Sequence, residues 1–170
     1  EPLAPEESQQ LIRQLLTEEQ WNSFSSNREL NIAYSLGRTG RFRVNIYFQR
    51  GTLASVIRQI RIKIPTSQEL NLPPILEKLA LSPRGLILVT GATGTGKSTT
   101  MAAMINYRAS QLEGHIVTIE DPIEYIFQHG KSLVTQREVG IDTLSFAEAL
   151  KNTLRQSPNV IYIGELRDSA

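Results

Sequence analysis

The run Gly91-Ala92-Thr93-Gly94-Thr95-Gly96-Lys97-Ser98, with Thr99 behind it, has the spacing of a phosphate-binding P-loop. Glycines at 91, 94 and 96 allow the backbone conformations that turn successive N–H groups inward to form an anion nest. A helix opening at Lys97 would aim its partial positive charge at the same phosphates. Lys97 then supplies a point charge for the β- and γ-phosphates, and the Ser98 hydroxyl an oxygen ligand for Mg2+. Residues 91–99 are therefore the candidate cofactor-binding set for a nucleoside triphosphate. No base-reading motif is visible, so the residues themselves do not separate ATP from GTP.

A P-loop binds; hydrolysis also needs carboxylates to hold the magnesium shell and polarise a water. Two acidic clusters are placed for this. Glu120-Asp121-Pro122-Ile123-Glu124 follows the apolar run His115–Ile119, and Gly164-Glu165-Leu166-Arg167-Asp168 follows Val160–Ile163. Both would sit at the C-terminal ends of buried strands, where ligands of open α/β sheets bind. Pro122 stops its strand and would fix where Glu124 points. Charged residues after a strand are often only a solvated loop, but two such clusters beside one P-loop argue for a site.

These groups need a scaffold. At 170 residues the chain has room for one domain, or a small one and part of another. Hydrophobic residues at 40% are enough to bury a core. Lys and Arg number 18 against 17 acids, with no basic stripe, which argues against a dedicated nucleic-acid or membrane-surface protein. Cysteine is absent, so disulfides and thiolate metal sites are excluded, and the composition fits a reducing compartment. The longest apolar stretch, Leu86–Thr90, is too short to span a bilayer, and nothing resembles a signal peptide.

Along the chain, Leu11, Ile12, Leu15 and Leu16 recur at helical spacing, and Thr17 with Gln20 reads as a capping box for a second helix. Leu30–Tyr34 and Arg41–Phe48 alternate about Gly37 and Gly40, which predicts a hairpin; Leu53–Ile64 reads as a third strand through Val56, Ile60, Ile62 and Ile64. Pro65-Thr66-Ser67 marks a linker, followed by a helix from Pro73 to about Leu81. Leu86–Val89 reads as a strand buried on both faces, Lys97 to about Leu112 as a helix, and His115–Ile119, Leu133–Val139 and Asn159–Ile163 as strands. Ser145 and Glu148 suggest a capping box for a helix that turns Phe146, Ala149, Leu150 and Leu154 to one face. This alternation predicts a parallel α/β sheet. His115 reads as a turn or cap residue and His129 as a loop residue, with no second histidine or cysteine nearby to make a metal site.

In order, Arg41-Phe-Arg-Val-Asn45, Pro83-Arg-Gly85, the P-loop, Thr118-Ile-Glu-Asp-Pro-Ile-Glu124, Gln136-Arg-Glu-Val139 and Gly164-Glu-Leu-Arg-Asp168 resemble the secretion ATPases that power type IV pili and type II secretion. The resemblance covers nearly the whole chain and is nearest to the pilus retraction ATPases PilT and PilU; Ala149–Gln156 looks more like the PilU type. It implies an α/β RecA-like P-loop core with a parallel sheet, preceded by a small α+β PAS-like domain: residues 1–64 PAS-like, 65–72 a linker, 73–170 the ATPase core. It implies ATP with Mg2+, Glu124 as general base in an aspartate box, and Glu165 acting on magnesium through water in an atypical Walker B segment. Arg43 and Arg58, with Arg50 behind them, are the implied arginines that reach a nucleotide in a ring, although charged residues flanking an exposed strand are a plain alternative.

The function implied is a homohexameric, cytoplasmic motor at the inner face of the membrane. It would work on an inner-membrane platform protein, possess no nucleic-acid partner and drive pilus retraction in twitching motility. An accessory nucleotide-binding paralogue that co-assembles with the principal retraction motor, and an assembly ATPase of pilus extension or type II secretion, are the alternatives; a RecA-like nucleic-acid motor ranks below them for want of a basic channel. The family continues with a histidine box, a further sheet strand between the Walker A and Walker B strands, and a helical domain. Together with a start at Glu1, this leads to the expectation of a fragment whose sheet has a central gap.

Overall fold

The computed structural model describes residues 3–37, 40–60 and 63–166, and divides into two compact units, Glu1–Ile60 and Arg61–Ala170. Ile62, Arg167 and Asp168, named above, lie outside the described residues.

The first unit begins with α1 (Pro5–Leu15), where Pro5 opens the helix and the Glu7 carboxylate accepts the Ala4 N–H at 2.9 Å. Leu11 faces solvent; Ile12 and Leu16 carry the buried stripe. In α2 (Glu18–Asn27) the capping box is reciprocal. The Gln20 N–H donates to Thr17 Oγ1 at 3.2 Å, and the Thr17 N–H to Gln20 Oε1 at 3.0 Å. The helices cover a three-stranded antiparallel sheet in the order β1 (Glu29–Leu36), β2 (Gly40–Gln49), β3 (Thr52–Ile60). Strand alternation sends Val44 and Ile46 into a core with Phe24 and Ile32. It turns Arg41, Arg43 and Asn45 to the other face. Ile64, expected in the third strand, lies outside it, and Val56 is exposed.

In the second unit α3 (Ile75–Ala80) precedes the P-loop. Arg108 of α4 (Lys97–Gln111) fastens the end of α3 by donating to the carbonyls of Ala80 and Ser82 at 2.6 and 3.0 Å. Strands β4 (Gly114–Glu120), β5 (Ser132–Glu138) and β6 (Val160–Ile163) form a parallel sheet in the order β5-β4-β6. The central strand β4 is buried through Glu120, and α4 packs its Ala102, Ile105 and Ala109 side against Ile116 and Val134. Helix α5 (Phe146–Thr153) is capped by Ser145 Oγ, which accepts the Glu148 N–H at 3.1 Å.

Three expectations are corrected here. Leu86–Val89 is neither a strand nor buried: Leu86 is 82% and Leu88 62% exposed. Both edges of β4 are taken by β5 and β6, and among the described residues no strand stands beside the run to hydrogen-bond it. Leu154 is 65% exposed, because α5 ends at Thr153 and a tighter 3₁₀ turn follows, which puts Thr153 in the core. His115 lies within β4, not in a turn; its Nε2 is 2.9 Å from Thr135 Oγ1 across the β4–β5 pair. Among the described residues no helix is long and apolar enough to cross a membrane.

Candidate active site

The P-loop is shaped by its glycines. Gly91 has φ +152°, and a Cβ there would meet Thr95 Oγ1 at 2.9 Å; Gly96, at φ +93°, is the left-handed N-cap from which α4 departs. Thr95 Oγ1 donates to the Ala92 carbonyl at 2.8 Å and braces the turn. The Lys97 ammonium folds back over it, donating to the carbonyls of Gly91 and Ala92 at 2.9 and 2.8 Å. Ser98 and Thr99 occupy the first turn of α4, where N–H groups without intrahelical acceptors gather.

These residues open on a cavity of about 590 Å³. Thr93, Gly94, Gly96, Lys97, Ser98 and Thr99 line one side of it, and Glu124 and Glu165 line it as well. The acidic residues arrive from strand ends as expected. The first cluster begins at the last residue of β4 and the second follows β6, so two parallel neighbours deliver both at one end of the sheet. Glu124 is exposed to the cavity and Glu165 half-buried in its wall. Asp121, joined to Pro122 by a cis peptide, lines the cavity too. Gly91, Ala92 and Thr95 make the turn itself, not the cavity wall. Arg43 and Arg58 belong to the first unit, where they stand opposite each other on β2 and β3; Arg50 sits in the turn between those strands.

Sequence reasoning passed over Glu120, Tyr125 and Tyr162 as individuals. All three line the cavity. Glu120 is 5% exposed, and its Oε1 accepts the Thr118 hydroxyl at 2.6 Å and Gln136 Nε2 at 3.3 Å. Burial pushes its carboxyl above the usual range, and the nearby Glu124 charge adds to this; the bonds from Thr118, Gln136 and the Glu124 backbone offset part of it. Burial, with Glu120 and Glu124 adding, also raises the Tyr162 phenol. The Tyr125 hydroxyl is 2.9 Å from Thr99 Oγ1, a contact between the acidic segment and the P-loop helix. Strand parity was the available signal for Glu120: it shares a face with Ile116 and Thr118.

The raised Glu120 carboxyl makes a stability prediction with a definite sign. The native state holds this proton more tightly than the unfolded chain, so stability falls as pH rises from the unfolded carboxyl range, near 4.5, towards the raised native value. Below that window the two states are equally protonated and no penalty applies. A glutamine at 120 carries no charge, and its Oε1 can accept the same two donors. Glu120→Gln should therefore gain thermal stability relative to the parent as pH increases from 4 to 8. Melting curves at both ends check this; a difference that stays constant with pH would show that the carboxyl is not raised.

A parallel α/β sheet with a P-loop and acidic residues at its strand ends is the architecture of a nucleotide-hydrolysing core. Residues 53–170 match the family of type II/IV secretion system proteins, and the chain belongs to that family. It is 55% identical over 166 residues to the type IV pilus ATPase PilU of Pseudomonas aeruginosa, covering 98% of this chain and 44% of that one. It is 42% identical over 167 residues to the retraction ATPase PilT of the same organism, covering 98% and 48%. The solved structure of the pilus retraction motor PilT with bound ADP superposes with a TM-score of 0.90 at 46% identity, covering 94% of this chain and 47% of that one. The ATPase DotB of Legionella pneumophila gives 0.78 at 28% identity, covering 99% and 49%. The chain thus spans about half the length of the curated relatives it matches. The fold of the second unit is that of a partial RecA-like ATPase core.

Proposed function

We propose that this chain is the ATP-hydrolysing part of a hexameric motor that powers type IV pilus retraction. One observation carries the reading: Lys97, Ser98, Glu124 and Glu165 share a single cavity. Lys97 and the α4 N-terminus hold the phosphates. The hard oxygen donors of Ser98 and Glu165 suit Mg2+, Ser98 directly and Glu165 through water. When bound, magnesium would neutralise charge on the phosphates. Glu124, exposed in the cavity, is the general base for the attacking water. The nucleotide is ATP because the relatives are described as ATPases.

In this reading residues 1–64 are a PAS-like domain, 65–72 a linker and 73–170 the core. Arg43 and Arg58 reach the nucleotide of a neighbouring subunit. The ring works in the cytoplasm at the inner face of the membrane, on a platform protein. A site completed by a neighbour makes turnover depend on assembly. ATP turnover per subunit of the intact protein should climb with concentration and level off once rings form. Turnover that is constant with dilution would sink the ring. The higher identity to PilU than to PilT favours, as a second reading, an accessory subunit co-assembled with a principal retraction motor. That reading gains if nucleotide binds at every concentration and turnover appears only when a PilT-type partner is added.

A further inference from the structure

The run Gln136-Arg137-Glu138-Val139 carries the family resemblance, yet none of the proposed roles falls on it. In β5, Gln136 stands in register with Thr118 of β4, and its side chain makes three bonds. Its Oε1 accepts the Phe127 N–H at 2.9 Å. Its Nε2 donates to the Tyr125 carbonyl at 2.8 Å and to Glu120 Oε1 at 3.3 Å. Two residues on, buried Glu138 accepts the Ile123 N–H on its Oε2 at 3.2 Å. The segment between β4 and β5 therefore hangs from β5 on both sides of Glu124.

An exposed carboxylate on a loop is a poor base unless its backbone is held, because a shift of about 1 Å can cost on the order of a hundredfold in rate. The Gln136 amide is suited to holding it: one acceptor and two donors in a rigid plane answer one N–H, one carbonyl and one carboxylate. A plain account also exists, since any buried loop must satisfy its backbone groups. Under that account the loss of Gln136 loosens the fold generally, and binding suffers with catalysis. We propose that Gln136 is a positioning residue for hydrolysis: its amide fixes Tyr125 and Phe127 to β5 and so sets Glu124 against the P-loop. The proposal rests on Glu124 being the base.

The test is Gln136→Met, which keeps the length of the side chain and removes both amide donors and the amide oxygen, measured on the intact protein beside Glu124→Gln. The expected result is a fall in kcat of about tenfold to a hundredfold, with ADP affinity within about twofold of the parent. Hydrogen exchange should accelerate at the Phe127 amide and stay slow at Ile123, whose acceptor Glu138 is retained, and along the β4–β5 ladder. An unchanged kcat overturns the proposal. So does a joint loss of kcat, ADP affinity and ladder protection, which would make the amide a prop for the whole fold. Glu124→Gln separates the two readings. If it leaves kcat intact, the base is misassigned; if it abolishes turnover while Gln136→Met leaves kcat unchanged, only the positioning role fails.

Discussion

Glu124→Gln is expected to slow ATP hydrolysis by about 10²- to 10⁴-fold while nucleotide affinity stays within about threefold. The substitution preserves shape and removes only the proton acceptor. Glu124 is exposed to the cavity, so neither a core nor a buried bond is disturbed. Its backbone, which bonds to Glu120, is retained. The cavity keeps the Lys97 ammonium, the α4 N-terminus and the Ser98 hydroxyl, which are the groups that hold phosphate. Single-turnover hydrolysis and equilibrium binding of a fluorescent nucleotide, measured side by side, separate the two effects. A variant that hydrolyses ATP at the parental rate would transfer the role to another carboxylate, with Asp121 the next one lining the cavity.

What the sequence disclosed about this molecule was local, and what it hid depends on distant partners. Thr17 and Gln20 act within one turn, and their reciprocal bonds form as their spacing predicts. The box expected at Ser145 is only half formed, because Glu148 Oε1 accepts from Asn152 Nδ2 at 2.7 Å one turn further on. The helix from Lys97 and the strand–acid order of both clusters follow from short-range signals too. Leu86–Val89 shows the limit. An apolar run announces a wish to be buried, but a strand also needs a hydrogen-bonded neighbour, and that neighbour is set by topology. Gln136 and Glu120 stand 16 residues apart, and only the parallel register of β4 and β5 brings them together. The acidic site was therefore legible as a set of charges. The buried amide and hydroxyls that orient those charges were not.

Arg58→Ala is expected to lower turnover by about 10³-fold or more, the low end of what an arginine reaching a transferring phosphate contributes. It should do so without loss of fold stability. Arg43 and Arg58 are directly opposed across β2 and β3, and like charges in that position repel. Among the described residues neither arginine is in an ion pair. Arg58 is exposed, which leaves its alanine variant with no cavity and one repulsion fewer. A residue kept only for the sheet would behave the opposite way: stability would drop and turnover would follow it. If the guanidinium acts on a neighbour's nucleotide, two inactive variants should also rescue each other. Each Arg58→Ala subunit keeps Glu124, and each Glu124→Gln subunit keeps Arg58. An equal mixture of the two, assembled at random, should regain about a quarter of parental turnover, because that share of interfaces pairs an intact base with an intact arginine. Recovery of that size places the arginine in trans. A mixture as inactive as its components, with rings shown to exchange subunits, would put Arg58 outside the catalytic interface and return it to the solvated edge of its strand.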